Sequence, residues 1–165
     1  MKYRKSERGQ SLVEFAVSLV ILLLLLSGAV EFGILFFRYV QLRDAAQEGA
    51  LYGSTHPYLD ADGNGSFDVG EEATANTDVI RARARASSPT NSPLNLNIDT
   101  GPQAVTIDVS SSDGSNLFCE DVGHGITVTV RYTHRMFMPF LTGWEIPLEA
   151  SVTDTILTPM CPPPP

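Results

Sequence analysis

The sequence predicts an α+β protein in which a long N-terminal transmembrane helix leads into a small antiparallel β-sheet domain. Most of the apolar excess lies between residues 12 and 40. Further along, residues 105–110 and 126–133 alternate apolar and polar side chains, as half-buried strands do. A chain of 165 residues has room for one modest domain beside such a helix.

The helix is predicted by its apolar run. No charge occurs in the 16 residues from Phe15 to Val30, and the run resumes after Glu31 as far as Phe37. At a rise of about 1.5 Å per residue, residues 15–37 span roughly 35 Å, enough for a hydrocarbon core of about 30 Å. A cleaved secretory signal has a shorter apolar core, of about 7–15 residues. Helix-forming sequence follows, so one helix over roughly 11–52 is predicted.

The remainder of the chain is predicted to be an exported domain. Thr77 or Asp78 would cap a short helix over 79–86. Residues 94–98 and 148–157 resemble weaker strands. The predicted organisation is a cytoplasmic leader (1–9), a transmembrane and extended helix (10–53), and an exported domain with a Pro-rich C-terminal tail (54–165).

Charge predicts orientation and excludes one class of partner. Residues 1–9 contain four basic residues and one acidic residue, whereas the whole chain carries −8. Cationic flanks stay in the cytoplasm, so the N-terminus is expected inside and the domain outside. An acidic exported portion argues against nucleic acid, which requires a basic surface.

Both cysteines, Cys119 and Cys161, fall in the portion predicted to be exported. Thiols oxidise readily outside the cytoplasm, so a disulfide between them is the first expectation. The alternative is a free or intermolecular thiol on the Pro-rich tail. A disulfide or a metal ion would suit a small domain with a thin core.

Residues 60–71 fit the calcium-loop pattern D-x-[DN]-x-[DN]-G-x5-E without a mismatch. Calcium takes six to eight oxygen ligands, and Gly65 permits the sharp turn. The predicted ligands are Asp60, Asp62, Asn64, Ser66 through its carbonyl, Asp68 and Glu71. The spacing is similar to that of lone extracellular loops such as those of dockerins. The alternative is a solvated loop without an ion.

The N-terminal motif joins a basic leader, Gly9-Gln10, and the pair Glu14-Phe15 at the edge of the apolar run. A carboxylate in this position either marks the water boundary or has a function, because it is costly inside a membrane. The motif resembles class III, prepilin-type signals, and residues 9–53 resemble the TadE-like family of tight-adherence (type IVc/Flp) pseudopilins. The resemblance implies cleavage after Gly9 by a prepilin peptidase. It also implies partnership with other pilins through the N-terminal helix, which stays in the lipid of a bacterial cytoplasmic membrane.

Two further groups have open interpretations. Glu31 either lies at the interface of a tilted helix, or pairs with a neighbouring helix or with Arg38. Residues 137–140 and Trp144 are expected to be core under a loop, or otherwise a contact surface.

His56, His124 and His134 have no HExxH spacing, and catalytic motifs are missing from the sequence, so enzyme activity is not predicted.

Together these features predict a minor pilin or pseudopilin that contributes to the assembly or tip of a tight-adherence pilus, with a structural calcium loop in its exported domain. The alternative is a membrane-tethered, calcium-dependent adhesin or binding module that is not built into a filament. The state of the N-terminus separates the two. A chain beginning at Gln10 favours the pilin, and an intact leader favours the tether.

Overall fold

A computed structural model describes residues 8–56, 77–88, 94–98, 100–111, 125–138 and 142–157. The elements in chain order are α1 (Arg8–Thr55), α2 (Thr77–Ala86), β1 (Val105–Ser111), β2 (Gly125–Arg135) and β3 (Glu145–Thr155). The three strands form one antiparallel sheet in the order β1-β2-β3. The predicted α+β class, with a long apolar helix leading into a small antiparallel sheet, is confirmed.

Helix α1 has two unlike halves. Between residues 12 and 26, twelve large apolar side chains are 37–71% exposed. From residue 27 onward, one side of the helix is buried at spacings of three and four residues, the period of a helix face. The fully buried members of this stripe are Leu42, Ala45, Ala46 and Ala50. The second half of α1 is therefore part of the folded domain.

The sheet turns one face to this stripe. Because successive side chains in a strand point to opposite faces, the apolar residues of β2 point the same way, and Ile126, Val128 and Val130 are fully buried. In the register of the sheet, Val130 lies between Ile107 of β1 and Ala150 of β3. These rows and the α1 stripe form the core.

Small residues bring the elements close together. A Cβ atom at Gly53 would lie 2.5 Å from Ile126 Cδ1, and one at Gly49 would lie 3.1 Å from the Cβ of Ala84 in α2. Ile80 and Ala84, one turn apart, are the buried residues of α2. Glycine and alanine on α1 thus allow α2 and the sheet to pack directly on its backbone.

The outer face of the sheet is polar. The guanidinium of Arg131 on β2 bridges Asp108 on β1 and Glu149 on β3, and Nε lies 3.0 Å from a carboxylate oxygen of Glu149. The hydrogen bond to Glu149, opposed in part by desolvation, raises the pKa of Arg131. Thr127 and Thr153 hydrogen-bond across the same face at 2.7 Å. The charged and hydroxyl side chains of this face are suited to contact with water.

One predicted strand is wrong. Residues 94–98 form a turn, in which the side-chain oxygen of Asn95 accepts a hydrogen bond from the backbone N–H of Asn97 at 3.0 Å. Leu94 and Leu96 are both buried. Their alternation mimicked a strand, but asparagine side chains commonly close turns in this way.

Candidate functional site

The residues of the predicted processing motif lie at the start of α1. Gly9, Gln10, Glu14 and Phe15 are all exposed, and Phe15 is 67% exposed. Residues 1–7, which carry most of the basic leader, lie outside the described residues. Glu14 therefore stands on a helix surface surrounded by exposed Leu, Val and Phe side chains.

The exposed apolar surface has the length of a membrane span. Residues 9–26 rise about 27 Å along the helix axis, close to the thickness of a hydrocarbon core of about 30 Å. An 18-residue stretch of this helix has a mean hydropathy of 2.6, and only 6% of that stretch is buried in the folded chain. The helix is long and apolar enough to cross a membrane once.

A buried polar cluster marks the place where the sheet first meets α1. We call Glu31, Arg38, Tyr132 and His134 the junction. Glu31 Oε1 lies 2.8 Å from His134 Nε2, and the side chains of the pair are 7% and 3% exposed. The same carboxylate oxygen accepts the backbone N–H of Phe137 at 3.1 Å.

The hydrogen bonds determine the tautomer of His134. Arg38 Nη1 contacts His134 Nδ1, and a guanidinium can only donate, so Nδ1 is the acceptor. The ring proton then resides on Nε2 and is donated to Glu31. Neutral His134 thus stands between a cation and an anion of the same helix. The cluster carries no net charge, as is expected for charges held away from water.

Tyr132 also contacts Arg38. Its hydroxyl accepts a hydrogen bond from Arg38 Nη1 at 3.0 Å, and the guanidinium carbon lies 5.4 Å from the ring centroid. A cation over an aromatic face is stabilised by the ring quadrupole. Arg38 Nε is buried and has no hydrogen-bond partner among the described residues. The junction joins one helix to one strand through side chains 94 to 103 positions apart in the sequence.

The sequence indicated only part of this junction. Glu31 was expected at the interface of a tilted helix, or paired with a neighbouring helix or with Arg38, and the structure joins both Glu31 and Arg38 to His134. The missed signal is in the alternation of β2, because the inward positions 126, 128, 130 and 132 continue to His134. A histidine that ends an apolar row, opposite an acid that begins an apolar helix stripe, would have suggested the pair.

The junction is suited to attaching the sheet to α1. His134 and Glu31 are both buried, so their hydrogen bonds are shielded from water. Hydrogen bonds to charged groups contribute more than neutral ones, about 1.5–3 kcal/mol each. Chemically, the arrangement holds the membrane-proximal end of the sheet against α1.

Two predicted sites lie outside the described residues. They are the calcium ligands Asp60, Asp62, Asn64, Ser66, Asp68 and Glu71, and the cysteines Cys119 and Cys161. In the part of the chain that the structure describes, no group of three or more His, Cys, Asp or Glu side chains could hold a metal ion. Both sites stay predictions from the sequence.

Comparison with known proteins gives one finding. The model of a family described as TadE-like protein matches residues 9–51. No curated protein matches the chain, and no solved structure does. The matched segment coincides with nearly all of α1, covering both its exposed apolar part and most of its buried stripe.

Proposed function

We propose that this chain is a minor pilin or pseudopilin of a tight-adherence pilus, on the basis of its similarity to TadE-like protein over residues 9–51. TadE-like proteins are structural components of pili rather than enzymes, and other pilus components are the natural partners. The observation that supports the proposal is that the family match falls on a helix whose first half is apolar and bare. In this proposal the N-terminus is cytoplasmic, the sheet domain is outside, and a prepilin peptidase cleaves after Gly9.

The N-terminal part of α1, residues 9–26, exposes apolar side chains that another apolar surface must bury; we call it the bare half. Burial of one large apolar side chain contributes about 1.5–3 kcal/mol, and twelve such side chains are exposed between residues 12 and 26. Lipid supplies that cover in the membrane. Neighbouring helices of the same kind would supply it in a filament, so one surface serves both states.

Glu14 would set the stagger between helices. Cleavage at Gly9–Gln10 creates an α-amino group that is largely protonated near neutral pH. Residues four apart lie on one face of a helix, so the amine and Glu14 could pair within one chain. Pairing between chains would also fix their axial offset. One partner of a buried pair left alone costs about 3–5 kcal/mol.

The test compares three variants for incorporation into sheared pili. Glu14→Ala is expected to insert and be cleaved, but to remain in the membrane fraction. Glu14→Asp should be partly incorporated. Asp44→Ala removes an exposed carboxylate from the other half of the same helix and should be incorporated normally. Immunoblots of pili and membranes, with mass spectrometry of the N-terminus, provide the readout.

The outcomes separate the proposals. Normal incorporation of Glu14→Ala would show that this carboxylate only marks the membrane boundary. An intact leader in cells with an active peptidase, together with the protein missing from pili, would favour a membrane-tethered binding module instead.

A further inference from the structure

The hairpin that joins β2 to β3 exposes large apolar side chains. Phe137, two residues after the end of β2, is 87% exposed, and Trp144, just before β3, is 65% exposed. The backbone N–H of Met136 donates to the carbonyl of Trp144 at 2.9 Å, so the two sides of the hairpin are held together there. Residues 137–140 and Trp144 were expected to be core under a loop, or otherwise a contact surface. The core expectation is wrong for Phe137 and Trp144, and residues 139–140 lie outside the described residues.

This end of the sheet is fixed to α1 where the bare half ends. The backbone N–H of Phe137 donates to Glu31 at 3.1 Å. The methyl group of Met138 lies 3.6 Å from the position that a Cβ atom would take at Gly28. Phe137 and Met138 are therefore level with residues 28–31, and Trp144 lies beside them through its hydrogen bond to Met136. This level is directly beyond residues 9–26, the part of α1 in which every residue is exposed.

That level coincides with the edge of a bilayer. If residues 9–26 cross the hydrocarbon core, residues 28–32 lie among the lipid headgroups. Phe32 is on the same level of α1 and is 68% exposed. Tryptophan and tyrosine are enriched at this depth, where a ring with an apolar body and a polar group can sit between hydrocarbon and water. The exposed Arg135–Glu145 pair immediately behind the hairpin stays suited to water.

We propose that Phe137, Met138 and Trp144, which lie just beyond the paired ends of β2 and β3, are seated in the headgroup layer of the bilayer that α1 crosses. The partner is a lipid surface. A stable protein interface buries on the order of 1,000 Å² or more, which a few side chains of one hairpin do not supply. A lipid surface needs no such area, because α1 already holds the hairpin against it. The inference rests on α1 spanning the bilayer and does not depend on incorporation into pili.

Trp144 is the only tryptophan of the chain, so its fluorescence reports this contact directly. The full chain is reconstituted at a low protein-to-lipid ratio into phosphatidylcholine vesicles, with and without brominated acyl chains. We expect emission at a shorter wavelength than in water and strong quenching by bromine. Bromine near the headgroup should quench more than bromine near the chain end, and aqueous iodide should quench weakly.

Variants test the contact and the anchoring separately. Phe137→Ser should weaken bromine quenching of Trp144 by several-fold. Leu157→Ser removes a 65% exposed side chain beside the far end of α1, and should leave quenching unchanged. Leu22→Trp in a Trp144→Phe background reports insertion of α1 alone, and circular dichroism confirms that each variant is folded.

Three results would overturn the proposal. The first is water-like emission of Trp144 with strong iodide quenching, while Leu22→Trp is quenched by bromine; the helix then spans and the hairpin stays in water. The second is short-wavelength emission of Trp144 without bromine quenching, which indicates protein cover such as a second copy. The third is no bromine quenching of Leu22→Trp, which removes the premise that α1 spans the bilayer.

Discussion

At the scale of single residues, Glu31 combines a cost and a benefit. Its carboxylate is buried on the apolar stripe of α1, and it accepts hydrogen bonds from His134 and from the backbone of Phe137. Arg38 balances the charge through the neutral imidazole. Each member of the junction is therefore tolerated in the interior only because the others are present.

Glu31→Ala is expected to lower the free energy of unfolding by about 3–5 kcal/mol, because it leaves the buried partners of the carboxylate unpaired. Glu31→Gln should cost less, since an amide oxygen can still accept the backbone N–H of Phe137. Denaturant unfolding in detergent micelles measures both.

Glu145→Ala is the matched control for this prediction. It removes a carboxylate that pairs with Arg135 at 2.8 Å but is 49% exposed. Exposed pairs contribute about 0–1 kcal/mol. Equal losses for Glu31→Ala and Glu145→Ala would contradict the role given to the junction.

Calcium is the second prediction at this scale. We propose that residues 60–71 bind Ca²⁺ with a Kd of about 10⁻⁴–10⁻³ M, as extracellular loops of this pattern do. At 100-fold excess over Kd the ion would add about 2.7 kcal/mol to the stability. The full chain in detergent should melt at a higher temperature in calcium than in chelator. Glu71→Gln should abolish most of the difference, and Glu145→Gln should preserve it.

At the scale of elements, close packing on α1 depends on its glycines. Gly53 faces Ile126, whereas a Cβ atom added at Gly33 would have no other atom within 4 Å. The same substitution at both positions therefore separates packing from helix propensity. Gly53→Leu should destabilise the protein by about 1–3 kcal/mol, the usual cost of overpacking.

Gly33→Leu is expected to be neutral or mildly stabilising, because leucine is a better helix former than glycine. Thermal melting in detergent compares the two variants. A Gly53→Leu protein that is as stable as the Gly33→Leu protein would show that the sheet and α2 can move away from α1 without cost.

The elements were predictable from periodicity, whereas their contacts were not. The apolar run predicted α1 within three residues at each end, and alternation predicted β1 and β2. The same alternation misplaced residues 94–98, because burial of Leu94 and Leu96 does not require a strand. His134 was overlooked as a partner of Glu31 because their contact depends on how the sheet lies across the helix. No local pattern contains that information.

At the scale of the whole molecule, the core is built from residues on both sides of position 53, where the sequence predicted the helix to end and the exported domain to begin. Leu42, Ala45, Ala46 and Ala50 are fully buried beneath the sheet. The backbone N–H of Leu157, just after β3, donates to the carbonyl of Ser54 at 3.2 Å. The second half of α1 is therefore an internal wall of the domain as well as its connection to the membrane.

A chain that begins at Gly28 should fold, and a chain that begins at Ser54 should not. The longer fragment keeps the junction and the buried stripe, whereas the shorter one exposes the inner face of the sheet. Cooperative thermal melting by circular dichroism, in mild detergent because Phe32 and Phe36 stay exposed, distinguishes them. A cooperative transition for the Ser54 fragment would show that the sheet is stable without the helix.

The uninterrupted course of α1 also has a mechanical consequence. No proline occurs between residues 8 and 55, and one helix runs through all 48 of them. At Ser27-Gly28, one of two Gly/Ser pairs at which such a helix could bend, the side chain of Met138 lies close to the helix. A pull or twist applied to the N-terminal half therefore reaches the sheet without passing through a joint. In any assembly built on these helices, the rotation of each helix about its own axis would therefore set the direction in which the polar face of its sheet points.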